Sequence, residues 1–329
     1  MNSFGNLFHI EIFGESHGNC VGVLVSGVKP GLILKEKDFE KDLLRRKTGA
    51  IGTSPRLESD KVIIDSGVFN DHTTGAPILI RFLNNNTHSK DYENLKNQPR
   101  PSHADFVALK KYAGFNDYRG GGTFSGRLTL GIVAAGVIAK KMLPNFKFET
   151  SIINLNGESD VSKFESMLSC NDGDSLGGIL SLKVLNVPVG LGEPYFDSLE
   201  STISHLLFSI GGVKGVEFGI GFAGVLLKGS EFNDVIIDEK GTTKTNHNGG
   251  INGGISNGNP IEVKVFIKPT PSISKVQETY NFKSKKIEPL LIEGRHDKAI
   301  ILRAMVVCEA CLAIALCDAM LMKNSMTSL

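Results

Sequence analysis

Four short segments carry residue types that could do acid–base chemistry on an anion. The first is Phe13-Gly14-Glu15-Ser16-His17-Gly18, a histidine in a glycine-flanked turn where backbone can approach a ligand closely. The second, Arg100-Pro101-Ser102-His103-Ala104-Asp105, stiffens the chain with proline ahead of another histidine. The third runs Arg119-Gly120-Gly121-Gly122-Thr123-Phe124-Ser125-Gly126-Arg127. Three consecutive glycines let backbone N–H groups converge, a helix start follows and two arginines flank it, which together make an anion site. The fourth, Gly294-Arg295-His296-Asp297, lies immediately before a long apolar stretch. Histidine, arginine and glycine recurring in separate loops suit proton transfer on a phosphorylated or polyanionic ligand. His9, His72, His88, His205 and His247 lack such company and read as structural or solvent-exposed. Arg45-Arg46-Lys47 with Arg56 forms a further basic cluster, where cations also simply favour a helix C-terminus.

Several familiar chemistries are excluded by spacing. Gly14-Glu15-Ser16-His17-Gly18 fits the G-x-S-x-G pattern of a serine hydrolase, but that elbow needs a helix directly after the serine. Here Val21, Val23, Leu24 and Val25 read as a second strand, closed by a Gly27-Val-Lys-Pro-Gly31 turn. A hairpin tip does not strain a nucleophile, so the histidine becomes the residue of interest. The triple-glycine loop lacks the Gly-Lys-Ser/Thr of a phosphate-binding P-loop and the G-x-G-x-x-G spacing of a dinucleotide fold. No H-E-x-x-H or zinc-type spacing occurs. Cys308 and Cys311 lie in an apolar helical run without a second pair, and read as buried thiols.

The elements that must position these loops are legible in outline. The first third reads as a hairpin, a helix over 35–47 with Phe39, Leu43 and Leu44 on one side, then short strands at 62–64 and 78–80. A polar loop from 84 to 105 precedes the glycine loop, and a helix over about 126–143 is stopped by Pro144. The second half repeats the plan: a strand over 179–187 closed by Pro188-Val-Gly-Leu-Gly192, an amphipathic helix over 197–209, then a β segment. An internal βαβ-type duplication is consistent with that repetition. Val235-Ile236-Ile237 reads as strand-like, 261–267 as an alternating strand, and the Gly/Asn/Thr-rich stretch 241–259 between them as an ordered loop over a site.

With 329 residues, 41% of them apolar, the chain can bury a large core, and no composition shift marks a boundary, so a single domain over 1–329 is expected. A net charge of +1 gives no field that would collect nucleic acid. The stretch 299–322 is apolar enough to suggest a membrane span, but Arg303, Glu309 and Asp318 interrupt it, so it reads as a core helix. Acidic Glu11 and Glu15 break the N-terminal apolar stretch, so no signal peptide is expected and a cytoplasmic location follows.

The four loops, in this order, resemble those of the chorismate synthase family. The resemblance extends through Asp117-Tyr-Arg-Gly-Gly-Gly122, Asn246-His-Asn-Gly-Gly250, Gly253-Gly-Ile-Ser256, Val189-Gly-Leu-Gly-Glu-Pro194, Val213-Lys-Gly-Val-Glu217 and Lys268-Pro-Thr270, covering nearly the whole chain. It implies an α+β fold, a β-α-β-α sandwich assembled as a homotetramer. It implies a lyase of aromatic amino-acid biosynthesis, converting 5-enolpyruvylshikimate-3-phosphate to chorismate and phosphate by anti-1,4-elimination. Reduced FMN is the implied cofactor, used without net redox change, with NADPH a possible flavin reductant. Residue by residue, the resemblance makes His17 the group that protonates the departing phosphate and His103 the acid toward reduced flavin. Asp297 works with the flavin as the base at C6. It assigns Thr123, Phe124, Ser125, Gly211, Gly212, Gly253, Lys268, Pro269, Thr270, Pro271, Ser272 and Arg295 to FMN. Arg45, Arg46, Arg119 and Arg127 go to substrate or NADP, and no residue to a metal. Departures from the family pattern include Thr123 where many members have arginine, and the stretch Gly49-Ala-Ile-Gly52, which lacks an arginine usual there. Two other classes, a flavoprotein oxidoreductase and a non-catalytic phospholigand-binding protein, would explain the glycine loops and the anion site respectively.

Overall fold

The computed structural model describes residues 2–327 apart from 48, 55–58, 86–93 and 295. Arg295, Arg56 and His88 therefore lie outside the described residues. Fifteen strands appear among those described: β1 (Ser3–Phe4), β2 (His9–Gly14), β3 (Cys20–Ser26), β4 (Ile63–Ile64), β5 (Val68–Phe69), β6 (His72–Thr73), β7 (Ile78–Leu83), β8 (Lys147–Leu155), β9 (Gly178–Leu185), β10 (Val213–Phe218), β11 (Ile251–Asn252), β12 (Ile255–Ser256), β13 (Ile261–Ile267), β14 (Gln277–Asn281) and β15 (Lys286–Leu290). The α-helices are α1 (Glu40–Arg46), α2 (Asp105–Lys111), α3 (Thr129–Met142), α4 (Phe164–Ser169), α5 (Leu199–Ser209), α6 (Gly229–Phe232) and α7 (Ile301–Thr327).

Two antiparallel sheets form the outer layers, in the orders β1-β2-β3-β7-β4 and β10-β13-β9-β8. Period-2 patterning decides which face turns inward. Val21, Val23 and Val25 on β3 and Ile78, Ile80 and Phe82 on β7 are fully buried, as are Leu180 and Val184 on β9 and Ile261 and Val265 on β13. Each such side chain is worth roughly 1.5–3 kcal/mol of transfer free energy. Helix α3 covers the first sheet, α7 covers the second, and the two helices pack on each other, with α1 and α5 also against α7. The expected α+β sandwich is present, built as two sheet-plus-helix halves that meet through their helices. Because every strand pair in both sheets is antiparallel, the halves are not parallel-strand βαβ units.

Glycines set the helix spacing. A Cβ on Gly131 would lie 2.8 Å from the Gly22 carbonyl, and one on Gly136 would lie 2.3 Å from Ala310 Cβ. Thus α3 sits against both β3 and α7 at distances that larger residues would prevent. In α7 each expected interruption has a partner. Glu309 accepts from both Arg45 nitrogens (2.9 and 2.7 Å), Lys140 (2.5 Å) and Thr150 (3.0 Å). Asp318 accepts the backbone N–H groups of Asn6, Leu7 and Phe8 at 2.7–2.9 Å. Length and apolarity would let α7 cross a membrane, yet 72% of its most apolar window is buried in the fold, as a core helix should be. Cys308 and Cys311 are buried free thiols, as expected, and so is Cys317.

One expected strand is not formed: Val235–Ile237 contributes only a single bridge, Ile236 to Thr243. The local chain is instead stapled by Asp234, whose carboxylate accepts from Thr245, His247 and Asn248.

Candidate active site

The Ser16-His17 turn is the tip of the β2–β3 hairpin, and the triple-glycine loop closes over it. Ser16 donates its backbone N–H to the Gly122 carbonyl (3.2 Å) and its hydroxyl to the carbonyls of Arg119 (3.2 Å) and Gly120 (3.0 Å). That hydroxyl is buried and committed, which disposes of the nucleophile reading. Gly120, Gly121 and Gly122 have φ of +58°, +84° and +53°, three left-handed residues in a row. A Cβ on Gly120 would stand 2.5 Å from Ser16 Oγ and 2.7 Å from His17 Cδ2, while one on Gly121 would stand 3.7 Å from His103 Cε1. The glycines thus let backbone pass between the two histidines, whose separation in sequence is large.

His103 sits within a tight polar triangle. Its Nδ1 is 2.6 Å from Asp105 Oδ1, and Asp105 in turn takes a bidentate contact from Arg100, with both nitrogens at 2.8 Å. Burial works to raise the Asp105 carboxyl, but hydrogen bonds from Arg100 and His103 hold it well below the usual carboxylate range. Arg100 also reaches Ser272 Oγ at 3.1 Å.

Opposite charges converge on another wall. Arg46, buried at the end of α1, donates Nε to Thr129 Oγ1 and Nη2 to the Gly126 carbonyl, both at 2.8 Å. Arg127 donates to Asp60 (3.0 Å), the Leu83 carbonyl (3.0 Å) and Asn84 Oδ1. Arg303 pairs with Asp297 at 2.9 Å, and the other Asp297 oxygen accepts the Ser54 N–H at 2.7 Å. Burial, then the nearby Arg303 and Arg127 charges, push Arg46 down to about 9, so it remains a cation at neutral pH. Buried cations that repel one another gain from an incoming anion.

Ser16, Arg46, Arg100, Arg127, Thr129 and Arg303 border one cavity of about 820 Å³, within the roughly 300–1,000 Å³ typical of small-ligand sites. His17, His103 and Asp297 line it, with Arg46 and Arg127. So do Thr123, Phe124 and Ser125, Gly211 and Gly212, and the strip Lys268, Pro269, Thr270, Pro271 and Ser272. Three expected residues do not. Arg45 points away, clamped on Glu309 and Asp42. Arg119 is held by Asp117 with its side chain 42% exposed. Gly253 lies in the turn between β11 and β12, so the ordered 241–259 stretch does not cover this cavity. Conversely, Arg303, Lys214, Ser54 and Asp60 line it without having been singled out. The charge of Arg303 inside an apolar run was a usable signal; nothing in the sequence marked Asp60.

A sequence model of the chorismate synthase family matches residues 8–321. The chain belongs to the chorismate synthase family. The family's members are lyases acting on a phosphate ester in chorismate and aromatic amino-acid biosynthesis. A chorismate synthase of Chitinophaga pinensis is 55% identical over 326 residues, 98% of each chain. One from Pyrococcus abyssi is 43% identical over 348 residues, covering 97% of this chain and 98% of its own. A crystal structure of a chorismate synthase superposes with a TM-score of 0.72 at 26% identity, covering 97% of this chain and 93% of that one. Family membership is therefore shared by fold and sequence over almost the full length.

Proposed function

We propose that this chain converts 5-enolpyruvylshikimate-3-phosphate to chorismate and phosphate by anti-1,4-elimination, with reduced FMN in the same cavity and no net redox change. The observation that carries the reading is the Gly120–Gly122 backbone threaded between His17 and His103, on a cavity walled by Arg46, Arg127 and Arg303. The residues present fit a flavin mononucleotide. Phe124 and Ile300 offer apolar surface to a planar ring, and a Cβ on Gly211 would meet nothing within 4 Å, leaving backbone open to a ligand. Lys214, Lys268, Thr270 and Ser272 offer donors for its phosphate. Reduced FMN, when bound, supplies an electron that eases phosphate loss and takes it back afterwards.

The chain's own groups do the rest. The arginine wall binds and orients a substrate carrying phosphate and carboxylates. His17 delivers a proton to the departing phosphate. His103 holds its proton on the far side of the glycine loop, oriented through Asp105. Asp297, fixed by Ser54 and Arg303, is the carboxylate placed to receive the proton leaving C6. Homotetrameric assembly and a cytoplasmic location belong to the same proposal; exposed Phe222, Val225 and Leu226 support an assembly surface.

The test is anaerobic turnover of the phosphorylated substrate with chemically reduced FMN, following chorismate and phosphate together. Equal release of both, absent with oxidised FMN, is the expected result. An arm with NADPH and oxidised FMN reads whether the chain reduces its own flavin. Flavin binding without chorismate release, or redox turnover without elimination, would overturn the reading.

A further inference from the structure

The Arg100–His103–Asp105 triangle fixes more than the position of a ring. The Asp105 carboxylate, its side chain 10% exposed, accepts three hydrogen bonds from Arg100 alone: from its backbone N–H (3.1 Å), Nε (2.8 Å) and Nη2 (2.8 Å). It is therefore ionised and rigidly held, with burial opposed by those donors. His103 Nδ1 approaches the Oδ1 atom to 2.6 Å. A bare ring nitrogen at that separation would set its lone pair against the carboxylate's, so Nδ1 must carry a hydrogen and donate it. Arg100 Nη2 lies 3.0 Å from the same nitrogen but cannot donate to a protonated Nδ1, and its hydrogen goes to Asp105 instead.

We propose that Asp105 is a positioning residue that locks the neutral His103 ring as the Nδ1–H tautomer, leaving Nε2 as the atom that exchanges a proton with the cavity. Three neighbours bear on this arrangement. The Gly121 backbone lies beside the Cε1–Nε2 edge, where a Cβ would come within 3.7 Å of Cε1 and 4.0 Å of Nε2. The Lys268 ammonium donates to the Ser102 carbonyl at 2.8 Å, just before the ring. Arg100 Nη1 ties the triangle to Ser272 at 3.1 Å, so the ring's orientation is braced against the strip 268–272 on the same cavity. What His103 does with that proton rests on the lyase reading; the tautomer itself does not.

The experiment uses the full chain without flavin, labelled with ¹⁵N-histidine, and long-range ¹⁵N–¹H correlation on the neutral rings. The His103 signals, assigned by their loss in His103→Gln, are expected to show a hydrogen on Nδ1 and a bare Nε2. Asp105→Ala is expected to lose that signature, and Arg100→Lys, which keeps the carboxylate, to retain it. A native ring protonated on Nε2 refutes the proposal without any variant. Persistence of the Nδ1–H form in Asp105→Ala, or its loss in Arg100→Lys, refutes it as well. In the flavin-loaded enzyme, Asp105→Ala should lower kcat on the order of 100-fold, the lower end of acid–base contributions, with KM nearly unchanged. A rise in KM with kcat intact would mean that Asp105 only shapes the binding surface. If no chorismate forms in any variant, the lyase reading falls while the spectra still decide the tautomer.

Discussion

Replacing Gly120 with alanine should disable the site while leaving the fold standing. The new methyl group would begin 2.5 Å from Ser16 Oγ, 2.7 Å from His17 Cδ2 and 2.8 Å from His17 Nε2. Carbon contacts settle at about 3.5–4.0 Å, so the histidine must retreat by about 1 Å. A misplacement of that size can cost about 100-fold in rate. Two terms set the loss of stability. A left-handed φ of +58° costs a residue with a Cβ about 1–2 kcal/mol, and overpacking adds about 1–3 kcal/mol. The sum, roughly 2–5 kcal/mol, should lower Tm by several degrees, since about 2–4 °C per kcal/mol holds for chains somewhat shorter than this one. Steady-state turnover and a thermal melt, run side by side with Gly229→Ala, make the assay. Gly229 has an ordinary φ and open space around its Cβ, so that variant should melt with the native chain. Gly120→Ala with native kcat would refute the claim that this backbone holds His17 in place, and an unchanged melt would refute the strain.

Acid should act through Glu309, which Arg45 and Lys140 hold down to about 2 against the opposing effect of burial. Because the folded value lies below the ordinary 4.5, its stabilisation, of order 3 kcal/mol, is complete above about 4.5 and is lost as the pH falls toward 2. Urea unfolding across that range should show this slope in the native chain and a reduced one in Glu309→Gln. Asp297→Asn keeps the size of the side chain but not its basicity, and chorismate formation should fall about 10²–10⁴-fold with the melt little changed. A thiol reagent applied to the native chain should label exposed Cys170 well ahead of Cys308 and Cys317, whose thiols burial pushes up to about 12; fast reaction at all of them would contradict the burial.

Much of the fold could be read because local signals agreed with tertiary demands. The alternation in 261–267 became β13 with the same bounds, and the apolar stretch after residue 299 became α7. Val235–Ile237 paired only locally, through the single Ile236–Thr243 bridge, and the carboxylate of Asp234 organised the chain beside it. His17, His103 and Asp297 were visible because proline and glycine flank them or because they precede a helix. Asp60 was not, since its value comes from touching Arg127 across the fold, a contact that no local pattern encodes. Arg45 and Arg46 illustrate the remaining ambiguity. Adjacent on α1, they point to different sides, and only packing decides that one meets the cavity and the other Glu309. Gly253 was placed by resemblance alone, and nothing in its surroundings brings it to this cavity.

The position of α7 has a consequence for how the protein is made. Both sheets turn their apolar faces toward the helical layer, yet residues 301–327 are synthesised after every strand of either sheet. At about 5–20 residues per second, the ribosome needs roughly 15–60 s to pass from β2 to α7. Throughout that interval the inner faces of β8 and β9 have no α7 to cover them, and Asn6, Leu7 and Phe8 have no Asp318 to receive their N–H groups. Assembly of the helical layer therefore joins the segment before β2 to a helix made after every strand, and nascent intermediates must be shielded from one another until it occurs.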